Sequence, residues 1–380
     1  MTKPWESYQG IYIHIPFCVQ KCNYCDFASY KVSSRSVMEQ YINRLVEEIE
    51  QKKVSLPVAE RAIVYFGGGT PSILPISLLE KIVNALKARK LWNNPKEVTL
   101  EANPGTVNST KLQAYRAMGI DRLSLGIQSF QDDELRTMGR IHTAEKAKET
   151  IAMAREAGFL HCNGDLIYGY PGQTVERVRD SLAQLIETGV DHISVYGLTV
   201  EKGTLLEKQL AAQVLQLPDE EAAGDMYDCI MQTLQAAGYV RYEISNFARP
   251  GHASRHNQVY WHYNPYLAFG AAATGFDGKK RVTNPSTIQE YINRKAPEEE
   301  VLTDAEREEE LVFMNLRTAK GLSLIEFQKR VGKNFRDEYG SALAHCLAQG
   351  WVTEKEGRIC PTAQGMRYGN LLFESFLQGS

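Results

Sequence analysis

The chain has 380 residues, 43% hydrophobic and 23% charged, which is enough for two or three domains with cores of their own. Lys and Arg number 43 against 46 Asp and Glu, and the resulting net charge of −3 excludes a nucleic-acid binder that works by bulk positive charge. No apolar run approaches the roughly 18 residues that a membrane-crossing helix requires, so no transmembrane segment is expected.

At the start of the chain Lys3, Pro4 and Glu6 interrupt any secretory leader. The cysteines are therefore expected to be reduced, and the expected location is the cytoplasm, with peripheral contact at a membrane left open. The apolar run Ile11–Ile15 reads as a strand and leads into Cys18-Val-Gln-Lys-Cys22-Asn-Tyr-Cys25, three thiols at C-x₃-C-x₂-C spacing. Three thiolates on one loop read as an iron–sulfur or zinc site; three rather than four leave one metal position open to a further ligand. Zinc could take His14 as a fourth ligand, but His14 lies inside the strand-like run. Cys162, Cys229 and Cys346 are isolated and read as buried small hydrophobes.

Further strand-like runs follow at Ala62–Phe66, Glu97–Glu101, Arg122–Ile127, Leu160–Tyr168 and His192–Leu198. Helical patterns at Val37–Lys52, Pro75–Lys90, Ser109–Met118, Ala144–Ala157 and Val175–Thr188 separate them. Six strands alternating with helices predict an α/β fold, a partial (β/α)6 barrel over residues 1–200, with an open doubly wound sheet as the alternative. Gly67-Gly68-Gly69-Thr70 follows the second run, Glu101 closes the third, and Gln128 follows the fourth. Motifs past successive strand ends meet at one mouth of such a barrel. The glycines permit close approach of a ligand to backbone amides, though without the Lys of a phosphate-binding P-loop. Glu101 suits a ribose diol, Gln128 and Asp165 suit hydroxyls or a base edge, and the fork of Arg140 suits a carboxylate. Taken singly, each of these side chains is equally compatible with a structural role.

Residues 201–300 read as an extension of the barrel that carries His256-Asn257-Gln-Val-Tyr260-Trp261. A neutral imidazole can ligate haem iron beside flat aromatic faces. A buried His256 bonded to Asn257 or Tyr260 is the competing reading, and His252 and His262 are lesser alternates. Pro297-Glu298-Glu299-Glu300 reads as an acidic linker, and Thr303-Asp304 as a helix start. Residues 301–380 then predict a small helix-rich, winged-helix-like domain: helices at Ile325–Val331 and Phe335–Ala348, with a wing at Trp351–Thr353 and Arg358–Cys360. The acidic linker and modest charge favour packing over DNA binding for this module.

Together Tyr12-Ile-His-Ile-Pro-Phe-Cys18, the cysteine triplet, Gly67-Gly68-Gly69-Thr70-Pro71, Glu101-Ala-Asn-Pro, Gly126-Ile-Gln128-Ser-Phe, Met138-Gly-Arg140-Ile-His and Asp165-Leu-Ile-Tyr-Gly-Tyr-Pro-Gly172 resemble the radical S-adenosylmethionine superfamily over nearly the whole chain. Within it they resemble the branch of oxygen-independent coproporphyrinogen III oxidase. The resemblance implies a [4Fe–4S] cluster on Cys18, Cys22 and Cys25. Its open iron would chelate S-adenosylmethionine, whose one-electron cleavage yields a 5′-deoxyadenosyl radical. It further implies that Tyr12, the backbone at Tyr24, Gly68, Gly69, Thr70, Glu101, Gln128, Arg140 and Asp165 line the S-adenosylmethionine pocket, and that a flavodoxin or ferredoxin supplies the electron.

Three departures from the oxidase pattern point to the haem-chaperone members of this branch. Phe27 stands where the oxidase has a fourth cysteine. The cysteine loop begins at residue 18, which leaves no room for the oxidase's longer N-terminal segment. The H-N-x-x-Y-W string is the third, and through it the resemblance makes His256 a haem ligand. The function implied is binding of haem and its delivery to apo-haemoproteins, including those of a respiratory chain, with oxidative decarboxylation of coproporphyrinogen III as the alternative.

Overall fold

The structure, a computed structural model, describes residues 3–377. The apolar runs of the first half become six parallel strands: β1 (Tyr8–Ile15), β2 (Val58–Gly68), β3 (Val98–Ala102), β4 (Arg122–Gln128), β5 (His161–Tyr168) and β6 (His192–Gly197), hydrogen-bonded in that order. Parallel neighbours need a crossover, and amphipathic helices supply it: α1 (Arg35–Gln51), α2 (Ile76–Ala88), α3 (Ser109–Met118), α4 (Ala144–Glu156) and α5 (Val175–Glu187). Side-chain oxygens of Ser34, Asn108, Thr143 and Thr174 accept amides of the first turn and set where α1, α3, α4 and α5 begin.

Alternation along each strand separates two environments. Ile11, Ile13, Leu100, Leu123, Leu125, Ile127 and Ile193 are fully buried in the hydrophobic core. The residues between them are polar and line an internal cavity: Thr99 and Glu101, Ser124, Asn163 and Asp165, His192 and Ser194. The barrel is therefore apolar outside and polar inside.

Residues beyond 200 extend the sheet at both edges. β7 (Asn246–Ala248) pairs antiparallel with β6, after helix α6 (Glu220–Ala236). Helix α7 (Arg255–Trp261) then packs against the barrel, and β8 (Tyr266–Phe269) runs parallel to β1, with Ile11 opposite Leu267 and Ile13 opposite Phe269. β8 is thus a seventh parallel strand, which six-unit reasoning does not anticipate. Strands β9 (Thr274–Phe276), β10 (Lys280–Thr283) and β11 (Glu298–Val301) continue as an antiparallel ribbon, completing a twelve-stranded sheet among the described residues. The acidic run expected as a linker is this last strand. Its glutamates face cations across the ladder, Glu299 to Lys280 at 2.9 Å and Glu300 to Arg281 at 3.3 Å.

The C-terminal module has its own core. Helices α8 (Asp304–Leu316), α9 (Leu324–Val331) and α10 (Phe335–Ala348) pack on a three-stranded antiparallel wing of β12 (Leu322–Ser323), β13 (Val352–Lys355) and β14 (Arg358–Pro361). Phe327, Phe335, Tyr339, Leu343, Val352 and Ile359 fill it, joined by Tyr263 and Phe276 from the barrel extension. No helix among the described residues is long and apolar enough to cross a membrane.

One buried carboxylate fastens β8 to the first β/α unit. Glu48 on α1 accepts hydrogen bonds from Gly270 N–H (3.0 Å), Asn284 Nδ2 (2.8 Å) and the Tyr291 hydroxyl (2.6 Å). Gly270 has φ of 100°, and a Cβ there would come within 2.6 Å of both His14 O and the Tyr41 hydroxyl. Replacing Glu48 by Leu strands three buried donors, and the expected loss is about 3–5 kcal/mol in denaturant unfolding. Glu48→Gln, which keeps an acceptor, should cost less than half as much.

Candidate functional site

All motifs that end strands do converge at one mouth. A cavity of about 420 Å³ opens there, lined by Cys18, Cys22, Tyr24 and Cys25 from the cysteine loop, by Gly68, Gly69 and Thr70 after β2, and by Glu101, Gln128, Arg140 and Asp165. That volume lies within the roughly 300–1,000 Å³ of small-molecule sites. Eleven of the thirteen residues singled out from sequence therefore share one wall. Tyr12 and His256 do not.

The cysteine loop leaves β1 at its C-terminal end. Its fold is set by hydrogen bonds from Cys25 N–H to Cys22 O at 3.3 Å and from Val32 N–H to Cys18 O at 2.9 Å. The thiols are free, and burial pushes those of Cys18 and Cys25 above the usual thiol range. Among the described residues, the one group of three metal-ligating side chains whose donor atoms lie within 4.8 Å of one another is elsewhere in the molecule. The three sulfurs therefore do not all lie within 4.8 Å of one another, whereas thiolates around a single tetrahedral zinc, at about 2.3 Å from the metal, stand about 3.8 Å apart. His14 is not a fourth ligand either. The Tyr12 hydroxyl donates to His14 Nδ1 at 2.9 Å, and His14 Nε2 donates to Ala28 O at 3.0 Å. The donor set fits a multinuclear cluster with one iron left open, and does not fit Cys₃His zinc. Phe27, 65% exposed, stands at the rim of this mouth.

The glycine turn works differently from the expectation that its amides face a ligand. Gly68 N–H donates to Glu101 Oε2 at 3.0 Å, Gly69 N–H to Ile15 O at 2.9 Å, and Thr70 N–H to Phe17 O at 2.8 Å. A Cβ at Gly67 would approach Glu101 Oε1 to 2.9 Å, and one at Gly69 would approach Phe17 O to 2.7 Å. The missing side chains let β2, β3 and the cysteine loop close on one another. The amides are consumed in holding the wall together.

Glu101 is held from two sides, by Gly68 N–H and by the Tyr65 hydroxyl at 2.6 Å. Burial pushes its carboxyl up to about 7, with the Asp165 charge adding to the rise. Burial likewise lifts Asp165 to about 6, against hydrogen bonds that include one from Asn163 Nδ2 at 2.6 Å. Arg140 donates from Nη1 to Cys22 Sγ at 3.4 Å and from Nη2 to Gly126 O, while its buried Nε has no protein partner. Gln128 takes φ of +72° at an irregularity in the β4–β5 register, a strained backbone of the kind that collects at functional sites. His142, not singled out from sequence, buttresses this turn by joining Ile127 O and Asn103 Oδ1, each at 3.1 Å, and burial lowers it to about 3. A second unanticipated feature is a polar chain down the lumen. Asn163 Nδ2 donates to Asp165, His192 Nδ1 donates to Asn163 Oδ1 at 2.6 Å, and the Tyr242 hydroxyl donates to His192 Nε2 at 2.8 Å. The period-2 polar positions of β3 to β6 were the sequence signal for it.

His256 is buried in the barrel interior. Helix α7 enters the lumen from the opposite end, capped by Glu97, whose Oε1 accepts the amides of Arg255 (2.9 Å) and His256 (3.3 Å). The His256 ring is 2% exposed and stacked 4.1 Å from Tyr65, with Tyr260 edge-on at 4.8 Å and Tyr12 at 6.2 Å. Burial lowers it to about 3, so it is neutral, and Nδ1 has no partner. In this conformation the rings of Tyr65, Tyr12 and Tyr260 surround His256, and it forms part of the barrel floor.

Two outcomes follow from this geometry. The folded chain holds a proton on Glu101 up to about pH 7, whereas an ordinary glutamate releases it near 4.5, so the folded state binds more protons across that window. Stability of the ligand-free chain should therefore fall as pH rises from about 4.5 through 7, and the thermal midpoint of Glu101→Gln should show a flatter pH slope. His256→Ala opens a hole among three rings and should cost about 2–4 kcal/mol in equilibrium unfolding, while leaving the absorption of a reconstituted cluster unchanged.

Comparison with known proteins agrees with this construction. The chain matches the Radical SAM superfamily over residues 12–185 and the HemN C-terminal domain over residues 302–368. It is 34% identical to the Heme chaperone HemW of Bacillus subtilis, covering 97% of this chain and 99% of that one, and 33% identical to the Heme chaperone HemW of Escherichia coli over 97% and 98%. A mitochondrial radical S-adenosyl methionine domain-containing protein 1 of Bos taurus is 34% identical over 86% of this chain and 77% of its own. The solved coproporphyrinogen III oxidase HemN of Escherichia coli superposes with a TM-score of 0.85 at 24% identity, covering 99% of this chain and 91% of that one, a likeness of fold. With a third of its residues identical to these relatives from end to end, the chain belongs to the HemW family of the radical SAM superfamily.

Proposed function

We propose that this chain is a haem chaperone, which binds haem and passes it to apo-haemoproteins from a scaffold that holds a [4Fe–4S] cluster and S-adenosylmethionine. Those two cofactors are what the radical SAM family implies. The observation that carries the reading is the likeness to HemW proteins at 33–34% identity over 96–97% of the chain, barrel extension and C-terminal module included. The position of Phe27 in the cysteine loop supports it, since an exposed ring there supplies no fourth thiolate.

In this reading Cys18, Cys22 and Cys25 hold the cluster, and the Arg140 guanidinium beside Cys22 balances thiolate charge. When bound, the cluster and S-adenosylmethionine supply one-electron reductive cleavage of a sulfonium. The protein's part is to bind and orient. Glu101, braced by Tyr65 and Gly68, presents a carboxylate to hydroxyl donors such as a ribose diol. Asp165 and Gln128 extend that polar wall, and the free Nε of Arg140 has a donor to give. A ligand that donates hydrogen bonds to Glu101 favours its ionised form and offsets the burial that keeps it protonated. In this reading His256 would ligate haem iron, a role that rests on the His256-Asn257-Gln-Val-Tyr260-Trp261 string; in the form described here its ring lies against Tyr65.

Haem titration of the anaerobically reconstituted protein, followed by an assay for coproporphyrinogen turnover in the same preparation, tests the function. A stoichiometric Soret band without turnover in the presence of S-adenosylmethionine and a reductant is the expected outcome. Turnover without specific haem uptake would make the chain a decarboxylating enzyme instead.

A further inference from the structure

At the end of the barrel opposite the cysteines, three side chains from separate parts of the chain point at one spot. His161 opens β5, Asp191 immediately precedes β6, and His252 lies in the turn between β7 and α7. The Nδ1 atoms of the two histidines are 3.1 Å apart, and Asp191 Oδ1 is 3.6 Å from that of His252 and 3.9 Å from that of His161. Ligands held at about 2.0–2.1 Å around a tetrahedral zinc stand about 3.3 Å from one another, so these separations match three corners of such a site. Each residue comes from a different element, so the convergence is tertiary and not a by-product of one helix face.

The carboxylate gives an independent sign of a missing ligand. Asp191 is 4% exposed, and its Oδ2 accepts the Cys162 amide at 3.1 Å, but its buried Oδ1, which faces the two imidazoles, has no hydrogen-bond partner. The nearest cation is Arg122, whose Nη1 is 4.0 Å away. Two nitrogens of that guanidinium are engaged elsewhere, Nε donating to Glu97 Oε2 at 3.0 Å and Nη2 to His252 O at 2.9 Å, while Nη1 has no hydrogen-bond partner and only a long ion pair with Asp191. An unpaired buried carboxylate oxygen is costly, and an ion between the three groups would satisfy it. The histidine side chains are 30% and 35% exposed, so water can complete the coordination sphere.

We propose that His161, Asp191 and His252 bind one divalent first-row transition-metal ion, of which zinc is the best fit to two imidazoles and a carboxylate. The ion ties the start of β5 and the start of β6 to the turn that delivers α7 into the barrel. Arg122 and Glu97 connect it to the cap of α7, so the site clamps the floor on which His256 sits.

Cluster-loaded protein, in which Cys18, Cys22 and Cys25 are occupied, should be titrated with zinc chloride by calorimetry, and the metal retained after desalting should be counted. The expected result is one zinc per chain beyond the cluster, a thermal midpoint raised by zinc, and affinity at least 100-fold lower in the His161→Ala/His252→Ala variant with unchanged cluster absorbance. Should the double variant not fold, His252→Gln alone should lower the affinity by at least tenfold. Zinc uptake that is absent from the wild type, or equal in wild type and variant, overturns the proposal and leaves the triad as a hydrogen-bonded network around Asp191.

Discussion

A curled sheet of seven parallel strands encloses a lumen too wide for its own side chains to fill, and the molecule is organised by how that lumen is divided. Its lower half is occupied by α7, a helix of only seven residues that would have little stability by itself. Glu97 makes the insertion possible. Its carboxylate pairs with Arg122 at 3.0 Å in the interior and at the same time accepts two amides at the helix N-terminus, where the helix dipole favours a negative charge. A buried ion pair of this kind seldom adds much net stability, because desolvation of both charges opposes their attraction. Removing one partner would leave the other unpaired beneath the barrel, and the arrangement specifies where the helix enters.

With the floor closed, the upper half of the lumen remains as a cavity with a polar wall and an apolar outer casing. Low dielectric inside it accounts for the electrostatics. Glu101 and Asp165 are lifted toward neutrality, His142 and His192 are held neutral, and Arg140 keeps its charge next to a cysteine sulfur. A site built this way is strained before anything binds. Gln128 sits at positive φ, and Arg140 Nε lacks a partner. A ligand acceptor placed beside Arg140 Nε would satisfy a donor that is already oriented.

Much of this was legible in the chain. Alternation of strand and helix patterns located six strands to within a few residues, because crossover connections between parallel strands leave few topologies open. Placement of the cysteine triplet, Gly68, Glu101 and Gln128 directly after strand ends was sufficient to bring them to one mouth, since strand direction dictates which end each terminus reaches. The winged module followed from capping at Thr303 and the helical period after it.

Other features depended on contacts between residues far apart in sequence. Tyr266–Phe269 is too short to declare itself, and it became a strand because β1 offered an open edge and Glu48 a buried acceptor for Gly270. Whether His256 faced a ligand or the core depended on the direction in which α7 enters, which Glu97, 159 residues earlier, decides. The glycine turn announced close approach, but only packing showed that the approaching atoms belong to Glu101, His14 and Phe17. The run of three glutamates looked like a solvated linker until β10 supplied cations opposite them. The amino-acid sequence by itself determined the succession of strands and helices in the first half and the cysteine mouth, because both rest on local periodicity and chain direction. Tertiary structure alone decided the closed floor and the His161–Asp191–His252 cluster, because those rest on burial and charge pairing between segments that meet only when the barrel curls.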